Sequence, residues 1–146
     1  MSNSTLYERD FYAWANEQAE MLRAGKLSEA DIEHIAEEIE SMGKTEKREL
    51  ISRLAMLLAH MLKWRFQPER RTKNWRLTIQ EQRRQVARHM RDSPSLKSTL
   101  SEATEEAYGD AIIAAELDTD LDLATFPKAC PWSFEQMMAE NFWPSE

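Results

Sequence analysis

The 146-residue chain holds one cysteine, three glycines and five prolines. A lone thiol, Cys130, forms no intramolecular disulfide and builds no thiolate metal cage, so neither staple holds this fold. Gly25, Gly43 and Gly109 are too few for a protein of tight hairpins or for a phosphate-cradling loop. Pro68, Pro94, Pro127, Pro131 and Pro144 stand between helical patterns, where a missing amide hydrogen costs least. Long apolar runs are missing too: Leu54 to Ala59 is cut short by His60, far below the roughly 20 residues that span a bilayer. Met1 to Thr5 is polar and lacks a signal-peptide apolar region. The expectation is a soluble cytoplasmic protein with no membrane contact.

What the chain does have is a hydrophobic content of 42% and a charged content of 31%, enough for one folded domain over residues 1–146 with a solvated exterior. Apolar residues recur at helical spacing almost throughout. Asp10 caps a first helix carrying Phe11, Trp14, Ala15, Gln18 and Leu22 on one face and stopping at Gly25. Ser28-Glu29-Ala30-Asp31 reads as the start of a second helix, with Ile32, Ile35, Ala36, Ile39 and Met42 inward and Gly43 at its end. A third runs from about Thr45 to Gln67 and is apolar nearly all round between Leu54 and Leu62, as a central helix would be. A fourth, Lys73 to Arg91, has one seam of Trp75, Ile79, Val86 and Met90. A fifth, Leu96 to Leu117, turns Leu100, Ala103, Ala107, Ala111 and Ala114 inward, and Ser133-Phe134-Glu135-Gln136 opens a short last one. The predicted fold is all-α, a helical bundle of about five longer helices plus a short C-terminal helix. Its dense C-terminal apolar residues, Phe126 to Trp143, dock on the bundle or on a second copy.

Charge is sorted along the chain. Against a net charge of −7, residues 63–91 carry ten Lys and Arg and only two acidic residues, Glu69 and Glu81. Arg84, Arg88 and Arg91 form one helical stripe, and the acidic stripes Glu33/Glu37/Glu40 and Glu102/Glu105/Glu106 offer themselves as its partners within one molecule or across a dimer. The proline-broken corner before it mixes cations with aromatic rings, a combination that an anionic partner such as single-stranded nucleic acid uses. The candidate binding residues are therefore His60, Lys63, Trp64, Arg70, Arg71, Trp75 and Arg76. The overall acidity argues against a dedicated nucleic-acid domain.

Catalytic and metal signals are weak. Asp31-x-x-His34 imitates one half of a di-iron bundle site, but Leu57 and Val86 stand three residues before His60 and His89, so the second half is missing. His34 is expected on a solvated face, away from the Ile32/Ile35/Ile39 stripe. The Asp118, Asp120, Asp122 alternation lacks the glycine and glutamate of a calcium loop. His60, almost alone among apolar neighbours, reads as a core histidine bonded to another helix, or as a polar anchor beside Lys63 and Trp64. Cys130, next to a helix start and Lys128, has two features that lower a thiol pKa, yet reads as buried filler. No catalytic residue, metal ligand or cofactor is expected.

Leu6-Tyr7, Asp10-Phe11-Tyr12-Ala13-Trp14, Glu37-Glu38-Ile39-Glu40-Ser41-Met42-Gly43, Leu57 to Trp64, Gln67-Pro68-Glu69-Arg70-Arg71 and Trp75 through Arg84 together resemble a bacterial family, domain of unknown function 29. Ser93-Pro94-Ser95-Leu96, Phe126-Pro127, Cys130-Pro131 and Phe142-Trp143-Pro144 extend the resemblance from about Leu6 to Pro144. It implies an all-α bacterial protein and brings no activity, cofactor or catalytic residue with it. The functional expectation is a non-enzymatic helical protein that self-associates or binds another protein, with anion or nucleic-acid binding through residues 63–76 as the alternative.

Overall fold

The computed structural model describes residues 3–145, with side chains from Leu6 onward. Its regular structure is helical: α1 (Asn3–Arg9), α2 (Phe11–Arg23), α3 (Ile32–Phe66), α4 (Lys73–Asp92), α5 (Leu100–Asp118) and α6 (Phe134–Met138). Single 3-10 stretches at Pro68–Arg70, Pro94–Thr99 and Leu123–Thr125 join them, and no strand occurs among the described residues. The fold is all-α, as the periodicity predicts. Among the described residues no helix is long and apolar enough to cross a membrane.

The expected second and third helices are one. α3 runs unbroken for 35 residues through Gly43. A glycine inside a helix costs only about 1 kcal/mol relative to alanine, and the residues that follow, Lys44 to Leu50, are good helix formers apart from Thr45 and include no proline. Thr45 confirms the interior setting: its Oγ1 donates back to the Ser41 carbonyl at 3.0 Å, as a mid-helix threonine does. Gly25, by contrast, ends its segment as expected, with φ at +73°. The start of α3 also moves. The chain through Ser28 turns without being helical, and Asp31 takes the capping position, its Oδ1 accepting from the His34 amide at a long 3.5 Å.

The chain groups into two compact units, one up to Thr45 and one from Glu46 on. The second holds a continuous apolar core. Leu50, Leu54, Leu57, Leu58, Met61 and Leu62 of α3 are fully buried there with Ile79 and Val86 of α4. α5 contributes Ala103, Ala107, Tyr108, Ala111 and Ala115, so its inner face ends on Ala115, not on the expected Ala114. Phe126, Trp132 and Met137 close the core from the C-terminal segment, which docks on its own unit. A complete capping box starts α6: Ser133 Oγ accepts from the Gln136 amide and Gln136 Oε1 accepts from the Ser133 amide.

Candidate functional site

The 60–76 corner is tied into the protein. Lys63 is 5% exposed; its Nζ donates to Asp118 Oδ2 at 3.2 Å and lies 5.2 Å from the centre of the Trp75 ring. Arg71 folds back on Trp64, donating from Nε to the Trp64 carbonyl at 2.8 Å with its cation 4.9 Å from that ring's centre. Trp64 packs in turn on Trp143 at 4.8 Å. Arg70 lies 3.7 Å from Asp120. His60 is half-buried and donates from Nδ1 to the Met56 carbonyl of its own helix, so it bridges to no other helix. Burial pushes its pKa down, and the Lys63 charge adds to that shift against the opposing Met56 bond. Arg76 stays exposed. Five of the predicted residues, Lys63, Trp64, Arg70, Arg71 and Trp75, are engaged as an internal clamp in which cations sit on rings, carbonyls and carboxylates of the same chain, while His60 and Arg76 stay outside it.

The predicted charge stripes are paired differently from expectation. Arg84 makes a two-point contact with Glu81 of its own helix, at 3.0 and 2.8 Å, which holds the Glu81 carboxyl down at about 2. Glu102 takes Lys47 at 2.5 Å. His89 is buried and donates from Nε2 to the Glu46 carbonyl at 2.8 Å, with Glu49 3.5 Å from Nδ1. Cys130 is a half-buried free thiol whose pKa burial raises, opposite to the shift that Lys128 and the helix start would produce.

The first unit holds a polar and aromatic cluster that sequence reasoning missed. Asp31 accepts from Trp14 Nε1 at 3.1 Å and from His34 Nδ1 at 2.8 Å through one oxygen, while Gln18 Oε1 accepts from the Asp31 amide at 2.7 Å. The His34 ring is stacked on Tyr7 at 4.1 Å, and the Tyr7 hydroxyl donates to Glu38. His34 is therefore not on a solvated face. Its bond to Asp31 raises its pKa against the cost of burial. Burial alone would raise the Asp31 carboxyl, but the bonds from His34 and Trp14 outweigh it and bring it below its ordinary range. The Glu38 bond, with burial, pushes the Tyr7 hydroxyl up to about 12. Tyr7, Trp14, Gln18, Asp31, His34 and Glu38 thus tie α1, α2 and the start of α3 together. The spacing Asp31-x-x-His34 was the visible signal; its partners Tyr7 and Trp14 lie far away in sequence.

In front of this cluster lies an apolar groove of about 370 Å³. α2 lines it with Phe11, Trp14, Ala15, Gln18, Ala19 and Leu22, and α3 with Ile35, Glu38, Ile39 and Met42. These are the i, i+3, i+4, i+7 rows of two amphipathic helices, facing outward together. Phe11 is 49% exposed, Ile39 62% and Met42 69%. Among the described residues no group of three or more His, Cys, Asp or Glu is placed to hold a metal ion.

No curated protein and no solved structure matches the chain. The model of one family, described as "Domain of unknown function DUF29", matches residues 6–143. Tyr7, Trp14, His34 and the groove residues all fall inside that span, as does the 60–76 corner, and the chain belongs to the DUF29 family.

Proposed function

We propose that the chain is a non-enzymatic helical docking protein, and that the groove between α2 and the first turns of α3 receives an amphipathic helix with a basic flank. The carrying observation is the groove itself: large side chains at helical spacing on both walls, exposed side by side. From Phe11 to Leu22 the wall spans twelve residues, about 16 Å between the end positions at 1.5 Å rise per residue, which accommodates about three turns of a partner helix.

Charge selects the occupant. Residues 1–45 carry ten acidic side chains against four basic ones, while residues 46–146 are nearly balanced at sixteen against fifteen. A second copy presenting the same face brings like charge to like charge, whereas a basic helix is steered in and held. The 63–76 corner supports the alternative, an anionic partner, less well, because Lys63, Arg70 and Arg71 already have intramolecular partners. We place the protein in the cytoplasm, a setting that suits the free Cys130 thiol.

The test is calorimetric titration with a synthetic helical peptide of about 18 residues, leucines on one face and lysines on the other, beside its Leu/Glu counterpart. The Leu/Lys peptide binds and the Leu/Glu peptide does not. Ile39→Asp weakens binding at least about tenfold although it makes the unit more acidic, because it places a charge in an apolar wall. Equal binding by wild type and Ile39→Asp, or by both peptides, overturns the reading. A dimer in sedimentation that Ile39→Asp splits makes the occupant a second copy and overturns the basic partner.

A further inference from the structure

A second cavity, of about 660 Å³, lies along α4 and is lined by Gln80, Arg83, Arg84, Ala87, Arg91, Met138 and Glu140. Arg83 is the unusual member, since it is only 4% exposed. Its Nε donates to the Met137 carbonyl at 2.6 Å and its Nη2 to the Phe142 carbonyl at 2.7 Å, and the cation lies 5.4 Å from the centre of the Trp143 ring. Nη1 has no hydrogen-bond partner among the described residues. Among the described residues no carboxylate lies within ion-pair distance of this guanidinium.

A buried cation held by two carbonyls and a ring face is hydrogen-bonded but not neutralised, and the interior screens it poorly. Its field therefore reaches the cavity it lines. Arg91 adds a second cation at the rim, exposed and without a partner among the described residues, and Gln80 adds an amide donor. Arg84 lines the same wall with its charge offset by Glu81. Ala87 and Met138 are the apolar part. Glu140 is the opposing group, a rim carboxylate that repels an incoming anion.

We propose that this cavity is a binding site for a small molecule bearing a phosphate monoester, with Arg91, Arg84 and Gln80 meeting the phosphate oxygens and Arg83 supplying fixed positive charge behind them. A phosphate carries about −1.5 to −2 and offers three acceptor oxygens, so it offsets the Arg83 and Arg91 charges together where a carboxylate offsets one. The volume is in the range of small-molecule sites, and Met138 and Ala87 leave room for an apolar body on the ester. This site lies in the second unit and is independent of the docking groove.

The test is titration with phenyl phosphate and inorganic phosphate at low salt, followed by calorimetry and by the NMR signal of the Arg83 Nε–H. Phenyl phosphate binds more tightly than inorganic phosphate and shifts the Arg83 signal. Arg91→Ala weakens it about tenfold, Glu140→Gln tightens it severalfold, and Arg88→Ala, an exposed arginine of the same helix outside the cavity, leaves it unchanged. Arg91 and Glu140 are exposed, so both variants keep the fold. No binding of either compound overturns the proposal. Equal weakening by Arg88→Ala and Arg91→Ala also overturns it, since that is diffuse attraction to a basic helix, and so does an unmoved Arg83 signal, which takes the buried cation out of the site.

Discussion

Lys63 and Arg83 are both buried cations, and they are compensated in opposite ways. Lys63 reaches a carboxylate, Asp118, which is itself 58% exposed, so removing the lysine strands no buried charge. Lys63→Met is expected to change stability by less than about 1 kcal/mol in urea unfolding, as burial relief offsets the lost ring contact. Asp118→Asn leaves the buried ammonium alone and costs more, about 1–2 kcal/mol after allowing for solvent around the carboxylate. Arg83→Ala is the severe change at this scale. It strips the Met137 and Phe142 carbonyls of their donors and frees the C-terminal segment, for a loss of roughly 3 kcal/mol. An Arg83→Ala protein as stable as wild type would show that water replaces the guanidinium at no cost. Lys63 was legible as a member of a cation and ring corner. Arg83 was not, because a charge count assigns arginines to the surface; its spacing, four residues after Ile79 and three before Val86, put it in the buried seam all along.

At the scale of elements, α3 was misread at Gly43 for a physical reason: one glycine is weak punctuation when no proline follows it and the next hydroxyl, that of Thr45, bonds back within the helix instead of capping a new one. A Cβ at Gly43 meets nothing within 4 Å and its backbone is not left-handed, so Gly43→Ala is expected to stabilise the chain by about 0.5–1 kcal/mol. A loss of stability would mean that the position needs glycine. Asp31 does more than cap α3, since it also holds Trp14 and His34. That linkage sets a pH window for the first unit. His34 is raised above its ordinary 6.5, so its contribution is full below 6.5 and fades as pH rises through the folded value. Asp31 is lowered from 3.8, so its contribution is full above 3.8 and fades as pH falls through the folded value. Protection of the amides of α2 and the start of α3, taken relative to their intrinsic exchange rate at each pH, should be greatest between those limits, with Glu37 and Glu8 also favouring the charged imidazole. His34→Gln should abolish the alkaline limb alone, while an unchanged profile in that variant would assign the limb to another group. Tyr7 extends the same logic, its contribution holding below 10 and fading towards about 12.

For the whole molecule, helix periodicity and proline placement were enough to read the class of fold and the central apolar stretch of α3, while the C-terminal apolar residues were equally legible as docking on their own bundle or on a second copy. The division of charge was legible too, but its meaning was not. The basic 63–76 corner drew attention because rings and cations are adjacent in sequence, and the structure shows those groups spent on one another. The apolar faces of α2 and early α3 read as ordinary core stripes. Periodicity identifies the apolar face of a helix and says nothing about whether anything covers it. Here the covering is incomplete, and the exposed groove sits in the unit that carries most of the net negative charge. The most direct measurement is a backbone NMR titration of the isotope-labelled protein with the Leu/Lys peptide. The docking account predicts shifts concentrated at Phe11–Arg23 and the start of α3, centred on Trp14, Ile35 and Ile39; shifts centred on α4 or α5, or no shifts at saturating peptide, would contradict it.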